Sequence, residues 1–413
     1  MKKLPIGVSD FYDMIKKNYY YVDKSLLIKD IVDLPGVVKL ITRPRRFGKT
    51  LNMRMLEQFF SMEGEGGLFD GLKVWQEKVL LKDYYHQYPI IFITFKEIKD
   101  TTWENAKVHL KAKFSEDIKK YLQNEMIRKD DRDYLEKAAC KELEIEEYTL
   151  LLKTLTRIYY ELHKKKTILL IDEYDVPIEA AYTYKEKDPD YYDNMVAFMR
   201  NLLTAALKDN EYLEFGILTG VYRVAKESIF SGLNNLAGYT IFENSITDKF
   251  GFTDEEVSEI LKHFEIDTKE DREIIKKWYG NYRIGNREDL YNPWSILNYI
   301  SSRLMRLQPS DASQPYWTNT SSNDLIIKQI ENNPVVKDSI EELLKGEEII
   351  VTLDPWLSLR ELEDDLNGVW TLFASAGYIT AKRVDINRYY VKIPNEELLF
   401  FFKTSVRPRN QWL

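Results

Sequence analysis

Val37-Val-Lys-Leu-Ile-Thr-Arg-Pro-Arg-Arg-Phe-Gly-Lys-Thr50 decides how the rest of the chain is read. Val37–Ile41 is a nearly unbroken apolar run of strand length, and Thr50–Phe60 beyond it has helical periodicity. Continuous rather than alternating apolarity fits a strand buried on both faces, as in a parallel sheet covered by helices. The loop between them ends in Gly48-Lys49-Thr50. Gly48 lets the backbone approach an anion with no Cβ in the way. Lys49 can reach the β- and γ-phosphates of a nucleotide, Thr50 offers a hydroxyl to Mg²⁺, and the amides opening the helix point at the same anion. The loop departs from the general phosphate-loop pattern. Arg43 stands where a glycine is expected, and Pro44 removes one backbone donor.

Three more runs share the character of the first: Ile90–Phe95, Ile168–Ile171 and Phe215–Leu218. Helical patterns lie between them, over Trp103–Arg128, Glu142–Lys166 and Tyr191–Lys208. Strand and helix in alternation predict an α/β fold, a mostly parallel sheet with helices on both faces. The Lys- and Glu-rich stretch Lys96–Lys166 is expected to be a solvated helical insert. After Lys249 the pattern changes. Thr253-Asp-Glu-Glu reads as an N-cap with an acidic first turn, and helical pattern runs through Trp278 and again over Pro293–Arg306. Gly280, Gly285 and Asn292-Pro293 break it. The expected organisation is a phosphate-loop domain over 1–249, a small helical lid over 250–308 and a winged-helix-like domain over 309–413. In the last, a helix over Arg360–Gly377 precedes two strands, Tyr378–Arg383 and Arg388–Ile393.

The third run ends in acids: Thr167-Ile-Leu-Leu-Ile-Asp-Glu-Tyr-Asp175. Asp172 at the strand tip can hold Mg²⁺ through water, and Glu173 can orient and deprotonate an attacking water. Asp175 reads as a supporting group or a helix cap. A strand, Ile90–Phe95, lies in sequence between the two motifs and a Glu follows the Asp, which favours hydrolysis over small-molecule kinase chemistry. The fourth run leads into Leu218-Thr-Gly-Val-Tyr-Arg223. Thr219 there can sense a γ-phosphate and Arg223 can neutralise developing charge. Equally, Thr219 simply ends a strand and Arg223 pairs with a surface acid.

The chain has 413 residues, room for two or three domains of about 150 each. Its 44% hydrophobic and 31% charged residues describe a globular protein. A net charge of −8 gives no global field for nucleic acid. Residues 301–413 carry 13 basic against 16 acidic side chains, net −3, so the acidic, aromatic-rich C-terminal half is expected to meet a protein partner rather than DNA. One cysteine and four histidines exclude an internal disulfide and argue against structural zinc. No apolar run approaches the roughly 18 residues of a membrane span, and the N-terminus lacks a signal-peptide pattern, so a cytoplasmic location is expected.

Several longer segments bear a family resemblance. They are Leu4-Pro-Ile-Gly7, Tyr20-Tyr-Val-Asp-Lys24, Thr42–Thr50, Leu170-Ile-Asp-Glu-Tyr-Asp-Val-Pro177 and Ala225–Asn235, followed by Phe250-Gly-Phe-Thr253, Tyr291-Asn-Pro-Trp-Ser295 and Tyr316–Asn323. Together they cover nearly the whole chain, which resembles the predicted AAA-ATPase-like family of bacteria, related to archaeal-type and STAND P-loop ATPases. The resemblance implies that Arg43 is normal at its position. It implies a nucleotide-binding set of Arg43, Pro44, Arg45, Arg46, Phe47, Gly48, Lys49, Thr50 and Leu51. It further places Ile6, Tyr21 and Asp23 near the base, and Pro293 where the lid approaches the nucleotide. Such proteins commonly continue into a PD-(D/E)XK nuclease-like domain. No Asp…Glu-x-Lys site follows here, so nuclease activity is not expected. The expected function is Mg²⁺-dependent binding and hydrolysis of ATP in a nucleotide-driven switch, with Lys49, Glu173, Thr219 and Arg223 as catalytic groups and Thr50 and Asp172 as metal ligands. The alternatives are a nucleotide-gated or non-hydrolysing interaction scaffold, and the ATPase module of a nucleic-acid-processing or defence system in which Arg43, Arg45 and Arg46 meet a DNA backbone.

Overall fold

A computed structural model describes residues 2–122, 126–223, 229–230, 233–318, 323–355, 359–363 and 365–406. The resemblance segments 225–235 and 316–323 fall only partly within them. All four apolar runs are strands. β1 (Val38–Thr42), β2 (Ile90–Thr94), β3 (Thr167–Asp172), β4 (Leu213–Gly220) and β5 (Leu236–Tyr239) form one parallel sheet in the order β2-β3-β4-β1-β5. β1 and β3 are buried at every position, as continuous apolarity requires. β4 lies between these two motif-bearing strands in space, whereas β2, between them in sequence, takes an edge of the sheet. The tips of β1, β3 and β4 therefore open side by side at the carboxyl end of the sheet, where open α/β sheets bind ligands.

The Lys49–Phe60 helix leaves β1 and buries Met53, Leu56, Phe59 and Phe60. The 96–166 insert is less solvated than its charge suggests. Its first helix ends at Tyr121, a second begins at Lys129, and the Trp103–Tyr121 and Leu151–His163 helices bury Leu110, Phe114, Leu152 and Leu155. Lys and Glu fill the outer faces and mask the apolar stripes when composition alone is read.

The 250–308 region is not purely helical. β6 (Phe252–Thr253), β7 (Tyr282–Ile284) and β8 (Arg287–Tyr291) form an antiparallel sheet in the order β6-β8-β7. These strands are short and carry charges, so they leave no apolar run to read. The Thr253 cap is present as a capping box: Glu256 N donates to Thr253 Oγ1 at 3.3 Å and Thr253 N donates to Glu256 Oε2 at 2.8 Å. The helices here gather their own apolar cluster around Ile260, Leu261, Ile275, Tyr279 and Ile300.

Farther on, β9 (Ile349–Thr352), β10 (Thr380–Asp385) and β11 (Arg388–Lys392) form an antiparallel sheet in the order β10-β11-β9, with the Leu366–Ala376 helix leading into β10. The apolar side chains of this region, Trp370, Phe373, Tyr378 and Phe402 among them, are continuous with the core of the central sheet. No helix among the described residues is long and apolar enough to cross a membrane.

Gly377 joins the two parts. It ends the Leu366–Ala376 helix at φ +84°, and a Cβ there would lie 2.9 Å from Pro44 Cβ in the phosphate loop. Left-handed backbone and a close approach both select glycine. Gly377→Ala is expected to cost about 1–3 kcal/mol in urea denaturation, combining φ strain with the contact on Pro44.

Candidate functional site

Thr50, at the start of its helix, donates from Oγ1 to Asp172 Oδ2 at 2.8 Å. Thr219, at the tip of β4, donates to Asp172 Oδ1 at 2.6 Å, and Thr94, which ends β2 in register with Asp172, reaches Oδ2 at 3.5 Å. Three hydroxyls from three elements thus converge on one fully buried carboxyl group. Thr219 acts from beneath the site and is not on the cavity wall. Sequence reading missed Thr94, because nothing marks a threonine that ends an edge strand until the register is known.

Gly48 has φ +85°, and a Cβ added there would meet nothing within 4 Å, so the loop faces open space at this point. Lys49 is buried beside it, and Nζ donates to the carbonyls of Arg43 and Pro44, each at 3.1 Å. Burial pushes the Lys49 amine down from its usual range, while Glu173, Asp175 and Asp172 pull it up. Arg46 has φ +67°, and its guanidinium lies over the Trp294 ring, 4.3 Å from the centroid. Arg45 pairs with Glu179. The Phe47 and Tyr282 rings meet in a T-shaped pair, and the Phe47 carbonyl accepts from Gly251 N at 3.2 Å.

Arg43 does something other than line the site. Its side chain is fully buried, with Nη1 donating to the carbonyls of Thr42 and Tyr239 at 2.7 Å each, Nη2 to Ile246 O at 3.3 Å, and the guanidinium over Phe250. Burial pushes this guanidinium down to about 10. Arg43 ties the loop to β5 and to segment 245–250, which is why an arginine can stand where a glycine is usual. Its neighbour Pro44 packs on Gly377, and neither residue is on the cavity wall.

Glu173 follows β3 at φ +52°, a strained setting for a non-glycine residue. The turn is held by Tyr174 N donating to Thr219 O at 3.1 Å and Val176 N to Glu173 O at 3.3 Å. Asp175 opens the Val176–Thr183 helix without capping it by its side chain. Its Oδ2 instead accepts from the amides of Val221 and Tyr222 at 2.7 and 2.9 Å. Burial pushes the Asp175 carboxyl up to about 7 against these hydrogen bonds.

Part of this set borders a cavity of about 720 Å³, within the range of small-molecule sites, while Asp172 lies behind Thr50 and off the wall. Lys49, Thr50, Leu51 and Glu173 lie on its wall, together with Tyr21 from the N-terminal segment and Pro293 from the 250–308 region. Tyr21 donates from Oη to Met55 Sδ at 3.1 Å, and burial pushes its phenol up. Ile6 and Asp23 are not on the wall. Ile6 is 37% exposed, and Asp23 accepts from the amides of Ser25 and Lys73 at 2.9 and 2.8 Å. Their neighbours Pro5, Gly7 and Val22 line the cavity. Arg223 is also outside it, packed against β5 where a Gly238 Cβ would come within 2.5 Å of Nη1.

Lys24, in the segment expected near the base, is on the wall, and sequence reading missed a lysine rim of Lys96, Lys99 and Lys249. It is assembled from separate loops, so no local charge run announces it. Lys24 Nζ donates to Glu256 and to Asp248 O, each at 2.6 Å, fastening the N-terminal segment to the Thr253 capping box.

A parallel sheet with this strand order, and a glycine–lysine–threonine loop facing a strand-tip aspartate, define a P-loop nucleotide-binding protein. The family described as "Predicted AAA-ATPase" (AAA-ATPase-like) matches residues 5–230, and the chain belongs to it. The family match supports nucleotide binding and places the chain among predicted ATPases. The chain is 27% identical over 404 residues to the "uncharacterized protein in vnfD 5′ region" of Azotobacter chroococcum mcd 1, across 96% of this chain and 68% of that protein. Among solved structures, a Walker-type ATPase of Pyrococcus abyssi is similar with 13% identity and a TM-score of 0.49, covering 92% of this chain and 94% of that one. Cdc6p from Pyrobaculum aerophilum is similar with 11% identity and a TM-score of 0.32, covering 93% of each chain. The fold rests on the observed sheet and loop and on the family match.

Arg43→Gly would restore the usual loop glycine, yet it strips donors from buried carbonyls. It is expected to destabilise by about 2–4 kcal/mol in urea denaturation, with circular dichroism as the probe.

Proposed function

We propose that the chain binds Mg-ATP in this cavity and hydrolyses it. One observation carries the reading: the Thr50 hydroxyl and the Asp172 carboxyl, 122 residues apart in sequence, meet at 2.8 Å beside Lys49 and the amides of a helix N-terminus. The donor set fits Mg²⁺. Among the described residues no group of three or more His, Cys, Asp or Glu could cage a metal. Mg²⁺ favours this sparse arrangement, with one or two protein oxygens completed by phosphate and water. Thr50 Oγ1 would hold the ion directly and Asp172 through water. An ion held there would supply neutralisation of the negative charge on the phosphates.

Each remaining role follows from position. Lys49, partly desolvated, exchanges its two carbonyl contacts for the β- and γ-phosphates. The Gly48 backbone admits the phosphates closely. Glu173, fixed by its strained turn, orients the attacking water and takes its proton. Arg46 and the lysine rim draw the anion in. Tyr21 and the Pro5–Ser9 segment border the end of the cavity left for the base, and Pro293 and Trp294 close it from 250–308. Thr219 serves by holding Asp172 rather than by touching the γ-phosphate.

The expected three domains and the switch belong to the same reading. Gly377 against Pro44, and Asp324 on the cavity wall, put the 309–413 region in touch with both the phosphate loop and the cavity. Nucleotide exchange would thereby shift this region, whose helix, hairpin and short β9 follow a winged-helix order. The acidic C-terminal half is the surface proposed for a protein partner.

Phosphate release at saturating Mg-ATP tests the reading. Lys49→Ala is expected to lose nucleotide affinity as well as rate. Glu173→Gln should still bind Mg-ATP while its kcat falls at least about 100-fold. Wild-type release no faster than either variant would remove hydrolysis.

A further inference from the structure

We propose that Asp175 is a positioning residue for hydrolysis: it locks the turn after β4 to the turn that carries Glu173. The inference rests on the hydrolase reading above.

The backbone beyond β3 needs an external restraint, because Glu173 sits at φ +52° where few non-glycine residues stay without support. That restraint comes from the 219–222 segment. Tyr174 N donates to Thr219 O at 3.1 Å, and Tyr174 Oη donates to Tyr222 O at 2.8 Å. Asp175 Oδ2 completes the clasp by accepting from two consecutive amides, Val221 and Tyr222. One oxygen accepting from two consecutive amides fixes the relative position of both turns. A helix-opening aspartate ordinarily spends its carboxyl on its own helix. Asp175 makes no such bond and reaches across to the next strand.

Gly220 shows how closely the two turns are fitted. A Cβ there would lie 2.7 Å from Asp175 Oδ1. Thr219 just before it holds Asp172, and Gly220 O accepts from Arg43 N at 3.1 Å. One short segment therefore touches the metal-binding carboxyl, the phosphate loop and, through Asp175 and Tyr174, the Glu173 turn. Asp175 Oδ1 is buried against Gly220, and the residue borders the cavity together with Val221.

The test compares steady-state kcat for Mg-ATP with the equilibrium affinity for Mg-ADP in Asp175→Ala, Asp175→Asn and Tyr174→Phe. Asp175→Ala is expected to lose about 100-fold in kcat, the scale of a small displacement of a reacting group, with Mg-ADP affinity within about threefold of wild type. Asp175→Asn keeps an oxygen for the two amides and is expected to recover most of kcat. Tyr174→Phe removes only the companion bond and should lower kcat several-fold at unchanged affinity. Wild-type kcat in Asp175→Ala, a loss of affinity equal to the loss of kcat, or Asp175→Asn as slow as the alanine variant would overturn the proposal. If Asp175→Ala does not fold, wild-type kcat in Tyr174→Phe overturns it. A wild-type protein without turnover fails before any variant is compared, and sinks the hydrolase reading together with the proposal.

Discussion

The structure turns on one buried carboxyl group. Asp172 has no accessible surface, and a polar group so placed must be met by donors or a cation. Hydroxyls from three separate elements meet it: Thr50 on the first helix, Thr94 at the end of β2 and Thr219 at the tip of β4. That requirement fixes the relative heights of three strand tips and brings the phosphate loop against them. A shift of any one strand would leave a buried acceptor without its donor, which costs more than an ordinary hydrogen bond contributes.

Around this point the loop is held from behind. Arg43 spends its guanidinium on backbone carbonyls of β1, β5 and the 245–246 segment, and Pro44 rests on Gly377. The loop is thus braced by the central sheet, by the chain leading into 250–308 and by the C-terminal region together. Lys49 and Gly48 are left facing the cavity, one desolvated and the other open. Rigid support beneath and polar groups facing the cavity above suit preorganised binding of an anion.

Much of this was legible in the sequence, for identifiable reasons. β1 to β4 announced themselves because strands buried on both faces read as unbroken apolar runs. Lys49, Thr50, Asp172 and Glu173 stood out because their chemistry sits at strand and helix ends. β5, with its Leu-Ala-Gly-Tyr, and the charged strands β7 and β8 gave no such run. Motif reading also assigns ligand contact to every residue of a loop, whereas the side chains of Arg43 and Pro44 turn to the protein behind. Asp23 and Ile6 were drawn in by neighbours that do line the cavity. The lysine rim and Thr94 were invisible because only the fold brings them together.

The central claim is that Thr50 and Asp172 make the cavity a site for a metal–nucleotide complex. Calorimetric titration of ATP, with and without Mg²⁺, into wild type and Asp172→Asn tests it most directly. The account predicts that Mg²⁺ tightens ATP binding to wild type by about tenfold or more, near 1.4 kcal/mol, and that this gain vanishes in Asp172→Asn. Equal affinity with and without Mg²⁺ in wild type, or an undiminished gain in the variant, would contradict it.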